Sequence, residues 1–189
     1  MKLKITVDGK VYEVEVLLAV TPGGACVLAG GEDGVARLWR LRGGRELARF
    51  DHGDGPVTGV AVAPDGRRVL TAGCRSRPAA SAKQSMEWYL RLWDVGTGAE
   101  VCAFPAHTQP IRGLSFSPDG RRAVSGAFDG GVRLWDVAAG REARGLAAHR
   151  AAVGGVAFSP DGGRLLSGAA DGTLCLWVLP PAAPAVARR

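Results

Sequence analysis

Apolar and polar residues alternate along most of this chain in short runs, each ended by a turn signal. Ile111–Phe116 alternates and stops at Ser117-Pro118-Asp119-Gly120. Arg122–Gly126 is a second run, closed by Asp129-Gly130, and Val132–Asp136 is a third. Arg141–Leu146, after the Ala138-Ala139-Gly140 turn, is a fourth. A period of two, broken by Pro-Asp-Gly and Asp-Gly, predicts short antiparallel strands joined by tight turns. In the third run Val132 and Leu134 share one face, and Arg133 and Trp135 share the other. Arg133 is expected to lay its stem along apolar surface.

The pattern recurs. Leu-Trp pairs place Trp39, Trp93, Trp135 and Trp177 at spacings of 54, 42 and 42 residues. Pro22, Pro118 and Pro160 precede Trp39, Trp135 and Trp177 by 17 residues. Asp33, Asp129 and Asp171, each followed by Gly, precede the same tryptophans by six. His107 and His149 stand 28 residues before their tryptophans. The second unit carries His52 and Pro64-Asp65-Gly66 and is lengthened by an insertion between Cys74 and Trp88. A period near 42 residues with four strands per unit is a repeat architecture.

Composition narrows this picture. The chain has 189 residues, 28 Gly and 11 Pro, yet 47% of it is hydrophobic. It is rich in turn formers and still able to build a core, which argues against long helices and against a second domain. Cys26, Cys74, Cys102 and Cys175 are far apart, without metal-ligand spacing, so reduced and packed thiols are expected. No run of 18 apolar residues suggests a membrane span, and charges interrupt any apolar leader core, so the expectation is a soluble, cytoplasmic protein. The Ala/Gly/Arg-rich composition points to a GC-rich bacterial source.

The Trp-Asp pairs, the Ser-Pro-Asp-Gly and Asp-Gly turns and the preceding histidines resemble the WD40-repeat β-propeller family. The resemblance covers residues 17–178, in units ending at Trp39, Trp93, Trp135 and Trp177. It implies an all-β fold of four four-stranded antiparallel blades around a channel. Such blades could form a closed four-bladed propeller, half of an eight-bladed ring completed by a homodimer, or a partial propeller.

His107, Ser125 and Asp129, and again His149, Ser167 and Asp171, are the residue types of a hydrolase triad. Their repetition argues otherwise, because a catalytic site is normally made once and a structural device once per repeat. The resemblance implies a structural tetrad in each blade, running from the Trp135 or Trp177 indole through the Ser hydroxyl and His to the turn Asp. The second unit holds a partial set, His52, Thr71 and Trp93, without the Asp. The first holds Asp33 and Trp39, with Ala29 at the Ser position and Val11 where His would stand. No phosphate-binding or dinucleotide-binding glycine motif is present. No enzyme activity, cofactor or metal is therefore expected.

Two readings compete for residues 1–16. Lys2–Val7 and Val11–Val16 alternate around Asp8-Gly9-Lys10, a hairpin signal. Counted back from Trp39, residues 3–8 also hold the register of an outermost strand, which could complete the last blade and remove two open edges. Closure is the preferred reading. The same segment resembles the opening strands of biotin-carrier domains, but no Ala-Met-Lys-Met follows, so no biotin is inferred. Residues 179–189, with three prolines, read as an extended tail.

Function then falls to the loop faces. The insertion is expected to project from the top face with Arg75, Arg77, Lys83, Met86 and Trp88. Asp54, Thr58, Gln109, Arg112 and Arg150 would lie beside it. On the bottom face Arg67-Arg68, Arg121-Arg122 and Arg164 follow successive turns, with Glu46, Glu100 and Glu142 on the same side. The reading is a non-catalytic scaffold that binds a protein or peptide partner. A basic propeller on nucleic acid, suggested by the net charge of +6, is an alternative, as is the regulatory WD40 portion of a larger kinase-type signalling protein.

Overall fold

The computed structural model describes residues 2–7, 10–15, 17–21, 23–53, 55–76, 86–147 and 149–181. Asp54, Arg77 and Lys83 fall outside them. All regular elements among the described residues are strands. β1 (Lys2–Val7) and β2 (Lys10–Glu15) pair only with each other, from Lys2 opposite Glu15 to Val7 opposite Lys10. The closing-strand expectation is thus corrected to the hairpin. Bringing together two adjacent segments costs far less loop-closure entropy than reaching the far end of the chain.

The first blade is β3 (Leu17–Val20), β4 (Cys26–Gly30), β5 (Val35–Arg40) and β6 (Glu46–Asp51). The second is β7 (Val57–Val62), β8 (Arg68–Ser76), β9 (Met86–Asp94) and β10 (Glu100–His107). The third is β11 (Ile111–Phe116), β12 (Arg122–Ala127), β13 (Gly131–Asp136) and β14 (Arg141–Ala147). β15 (Val153–Phe158), β16 (Arg164–Ala169) and β17 (Leu174–Val178) form the fourth, which has three strands among the described residues instead of the expected four.

The two faces of the second and third sheets each serve a neighbour, and the first and fourth sheets each pack on one. Leu28, Leu38 and Phe50 of the first blade pack on Val57, Val60, Val69 and Trp93 of the second. Leu70, Leu92 and Phe104 of the second pack on Ile111, Ala123 and Trp135 of the third. Val124, Val132 and Leu134 of the third pack on Val153, Leu165 and Trp177 of the fourth. The fourth-strand phenylalanine of one blade meets the tryptophan of the next: Phe50 and Trp93 have ring centroids 5.8 Å apart, and Phe104 stacks on Trp135 at 4.9 Å. Gly126 is required by this packing, since a Cβ there would stand 2.5 Å from Val153 Cγ1 of the next blade.

Arginines serve the same stacking. Arg68 donates through Nη2 to the Gly120 carbonyl of the next blade at 3.5 Å. Arg122 donates to the Gly162 carbonyl at 2.9 Å and through Nη1 to the Pro180 carbonyl at 2.9 Å. Two of the bottom-face arginines are therefore engaged in joining blades. The glutamates opposite them pair within their own sheets, as Arg91–Glu100 at 3.1 Å and Arg133–Glu142 at 2.7 Å, with Arg37–Glu46 at 4.0 Å.

The outer face of the fourth blade is exposed at Leu166, Leu174 and Leu176. The four blades form an open arc, and the reading of a self-closed four-bladed ring is corrected.

Candidate functional site

In the third blade the expected tetrad is assembled in full. The Trp135 indole N–H donates to Ser125 Oγ at 2.9 Å, and Ser125 Oγ lies 2.8 Å from His107 Nε2. His107 Nδ1 lies 3.1 Å from both carboxylate oxygens of Asp129. Three strands and one turn are pinned at one point. Trp135 comes from β13, Ser125 from β12, His107 from the end of β10 in the preceding blade, and Asp129 from the turn between β12 and β13. That turn has its own frame, because Asp129 also accepts the backbone N–H groups of Gly131 at 2.9 Å and Thr108 at 3.0 Å.

Burial holds the His107 imidazole below its ordinary pKa, against the opposing pull of Asp129. Burial pushes Asp129 up, but the Thr108 and Gly131 amides and His107 outweigh it, so its carboxyl lies below the usual range. A neutral imidazole facing a carboxylate leaves one assignment of hydrogens. The Ser125 hydroxyl donates to Nε2, and Nδ1–H donates to Asp129. Ser125 thus accepts one bond and donates one, satisfying a fully buried hydroxyl.

The fourth blade repeats the set with a change. His149 Nε2 lies 2.8 Å from Ser167 Oγ, and the Trp177 indole donates to the same oxygen at 3.5 Å. His149 Nδ1 meets Thr173 Oγ1 at 2.8 Å, and Thr173 in turn donates to Asp171 at 2.5 Å. Asp171 itself is 3.6 Å from Nδ1. The Thr173 hydroxyl and the amides of Arg150 and Thr173 hold the Asp171 carboxyl down to about 2. Thr173 is a member of the network that sequence reading missed. The third blade has Gly131 at its place in the turn, so only the change from Gly to Thr could have signalled it.

The second blade is shorter by one member. Trp93 donates to Thr71 Oγ1 at 2.8 Å, and His52 approaches the same oxygen at 2.8 Å through Nδ1 instead of Nε2. In sequence the stretch from His52 to Pro56 is one residue longer than that from His107 to Pro110. Burial, with the Arg91 charge, pushes His52 down to about 4. In the first blade Asp33, without a histidine partner, binds Arg37 at 2.5 Å and the Val35 amide at 3.2 Å.

These sets share the residue types of a hydrolase but not its accessibility. Ser125 and Ser167 are buried within their blades, and each oxygen is capped by an indole N–H. A nucleophile needs an open approach and a lone pair to use.

The candidate top-face residues divide. Gln109, Arg112 and Arg150 are exposed, as are Arg75 and Met86. Arg112 lies over the Phe128 ring, 5.7 Å from its centroid, and Phe128 is exposed in the turn just before Asp129. Phe128 went unnoticed in the sequence because the repeat places Ala170 and Glu32 at its position. Thr58 is buried and is corrected as a surface candidate. Trp88 is likewise corrected, from loop anchor to core residue. β8 and β9 continue past the length of other blades, pairing Cys74 with Trp88, Arg75 with Glu87 and Ser76 with Met86. The alternation Met86, Trp88, Leu90, Leu92 carries the strand into the insertion and turns Trp88 to the core face.

Residues 6–40, 44–94, 98–136 and 140–178 match the WD40 family, described as WD domain, G-beta repeat. Over 126 residues the chain is 31% identical to WD repeat-containing protein 1 of Bos taurus, covering 66% of this chain and 19% of that protein. Over 112 residues it is 29% identical to guanine nucleotide-binding protein subunit beta-1 of Caenorhabditis briggsae, covering 58% of this chain and 29% of that one. A 55-residue stretch, 29% of this chain and 3% of the relative, is 47% identical to WD repeat-containing protein 90 of Homo sapiens. The chain thus spans less than a third of the length of each of these relatives.

Proposed function

Because this chain belongs to the WD40-repeat family, we propose that it is a non-catalytic module that holds a protein partner against its top loops. The observation that carries this reading is the state of the two His–Ser–Asp sets. Their hydroxyls are buried and already donate and accept within the blade. The chemistry-bearing side chains are consumed in fixing the blade, so function rests on what the blades display. Gln109 before β11, Arg112 at its start, Phe128 in the turn after β12 and Arg150 before β15 are all exposed. A guanidinium over an exposed aromatic is a preordered pair, suited to an anchor because little side-chain entropy is lost on binding. One relative is by its name a subunit, a use in keeping with a binding platform.

A photo-crosslinking residue placed at Phe128 tests this in cells. A discrete captured protein is expected, and Arg112→Glu should abolish its capture without lowering the unfolding midpoint. Capture that survives Arg112→Glu, or none at all, overturns the proposal.

A further inference from the structure

We propose that the exposed face of the fourth blade docks the first blade of a second copy of this chain, head to tail. Three rows of residues define the face that each blade offers to the next. Leu28, Leu70 and Val124 form one row in the first three blades, and each is at most 1% exposed, whereas Leu166 in the fourth is 43% exposed. Ala36, Leu90 and Val132 are fully buried, and their counterpart Leu174 is 74% exposed. Leu38, Leu92 and Leu134 are buried, and Leu176 is 63% exposed. Leu166 and Leu176 lie directly opposite each other in the sheet, as Val124 and Leu134 do in the blade before.

The notch in that face is also open. A Cβ on Gly30 would meet Val57 of the next blade at 2.6 Å, and one on Gly126 would meet Val153 at 2.5 Å. One on Gly168 would meet only Leu174 of its own blade. Arg164 holds the position from which Arg68 and Arg122 reach the carbonyls of Gly120 and Gly162, and it is exposed. An apolar face with a cation at its rim, set beside Asp161 of its own turn, is what the fourth blade presents.

The matching half is found on the first blade. Gly24 has φ +68°, the same as Gly162 and within a degree of Gly120, so its carbonyl belongs to the same turn. No heavy atom stands within 4 Å of a Cβ built there, whereas Arg68 and Arg122 reach those built at Gly120 and Gly162. Val20, Val27 and Trp39 form a row across the sheet, as Phe158, Leu165 and Trp177 do in the blade that receives the third. In that row Val20 is 59% exposed and Trp39 is half-buried, while Val27 between them is buried. One chain therefore carries the donor half and the acceptor half of a contact that it makes within itself elsewhere. Two copies could join both halves twice, closing eight blades about a two-fold axis, within the range of propellers. One position departs from the pattern: Glu15 stands where the other blades carry Val57, Ile111 and Val153.

Light scattering on the size-fractionated full chain decides. The expected mass is twice the 19.6 kDa of one chain. Leu176→Asp and Val20→Asp, both at exposed positions, should each give the single-chain mass with the fold intact by circular dichroism. An equimolar mixture of the two variants should recover a two-chain species, because one intact contact remains. Arg164→Glu should weaken association by about tenfold. A wild-type chain that stays single at every concentration overturns the proposal, as does a dimer that survives either Asp substitution. Loss with Leu176→Asp but not with Val20→Asp overturns it in favour of fourth blade against fourth blade. A mass that grows without limit with concentration overturns the closed pair.

Discussion

Arg122 of the third blade donates through Nη2 to the carbonyl oxygen of Gly162 in the fourth, 2.9 Å away. Its other nitrogen reaches Pro180, and its guanidinium lies 6.0 Å from the Phe158 ring centroid. Arg122→Ala is expected to lower stability by about 1.5–3 kcal/mol, the range for hydrogen bonds from a charged group. Arg122→Lys should recover little, because a single ammonium cannot span two carbonyls as a fork does. Arg164→Ala, measured in the single-chain state, should stay within about 0.5 kcal/mol of wild type. Urea midpoints at constant slope check all three.

The two tetrads should differ in worth. Ser125→Ala leaves a buried indole N–H and a buried imidazole without a shared partner and should cost about 2–3 kcal/mol. Ser167→Ala should cost about 1 kcal/mol, since the Trp177 bond is already 3.5 Å long. His107→Ala and His149→Ala should each cost about 1–3 kcal/mol, because each imidazole keeps a 2.8 Å bond to its serine and a second bond through Nδ1. Equal costs for the two serines would mean that the bond lengths carry no information about strength.

Stability should also depend on pH in a defined window. His52 is pushed down to about 4 in the fold, against 6.5 when unfolded. Between these values the unfolded chain binds more protons, so stability is full above 6.5 and is lost as pH falls towards 4. The loss amounts to about 3 kcal/mol for this one group. His107 is shifted in the same direction and adds to the slope. Asp129 lies below its ordinary value, so its contribution persists to lower pH and is lost only beneath the usual carboxylate range. His52→Gln should reduce stability at pH 7 while flattening the slope between pH 6.5 and 4. Chemical denaturation at a series of pH values reads this directly.

A serine-directed fluorophosphonate should not label the folded protein. Labelling of Ser125 or Ser167 at the rate of a known serine hydrolase would show that the indole caps are not in place in solution.

The repeat was legible because each device recurs with a residue type that has one physical reason to be there. A buried indole needs an acceptor, so Trp135 announces Ser125, and Ser125 announces His107. What could not be read was partner choice among equivalent strands. Residues 3–8 satisfy the register of an outer strand and the pattern of a hairpin equally well, and only chain proximity separates the two. Trp88 was misplaced because an irregular insertion was taken as loop throughout, although the alternation of Met86, Trp88 and Leu90 runs straight through its end. Repeat register and family resemblance put Thr58 on the surface, yet it lies on a strand buried on both sides, as the neighbouring Val57, Gly59 and Val60 show. The sequence assigns Arg133 a packing stem, and its pairing with Glu142, like those of Arg37 with Glu46 and Arg91 with Glu100, depends on a cross-strand register that composition does not reveal.

The strand order contains no crossover, since every ladder joins strands that are consecutive in the chain. Each sheet can therefore zip up from local contacts alone and gain its remaining stability from the neighbour on either side. Such an array does not melt all at once. In a single chain β3–β6 and β15–β17 each have one neighbouring blade, and β15–β17, with three strands instead of four, should open first, with amide exchange slowing steadily inward to β8 and β12. The protein would then carry a built-in gradient of protection, with its softest sheet at the end where it has no neighbour.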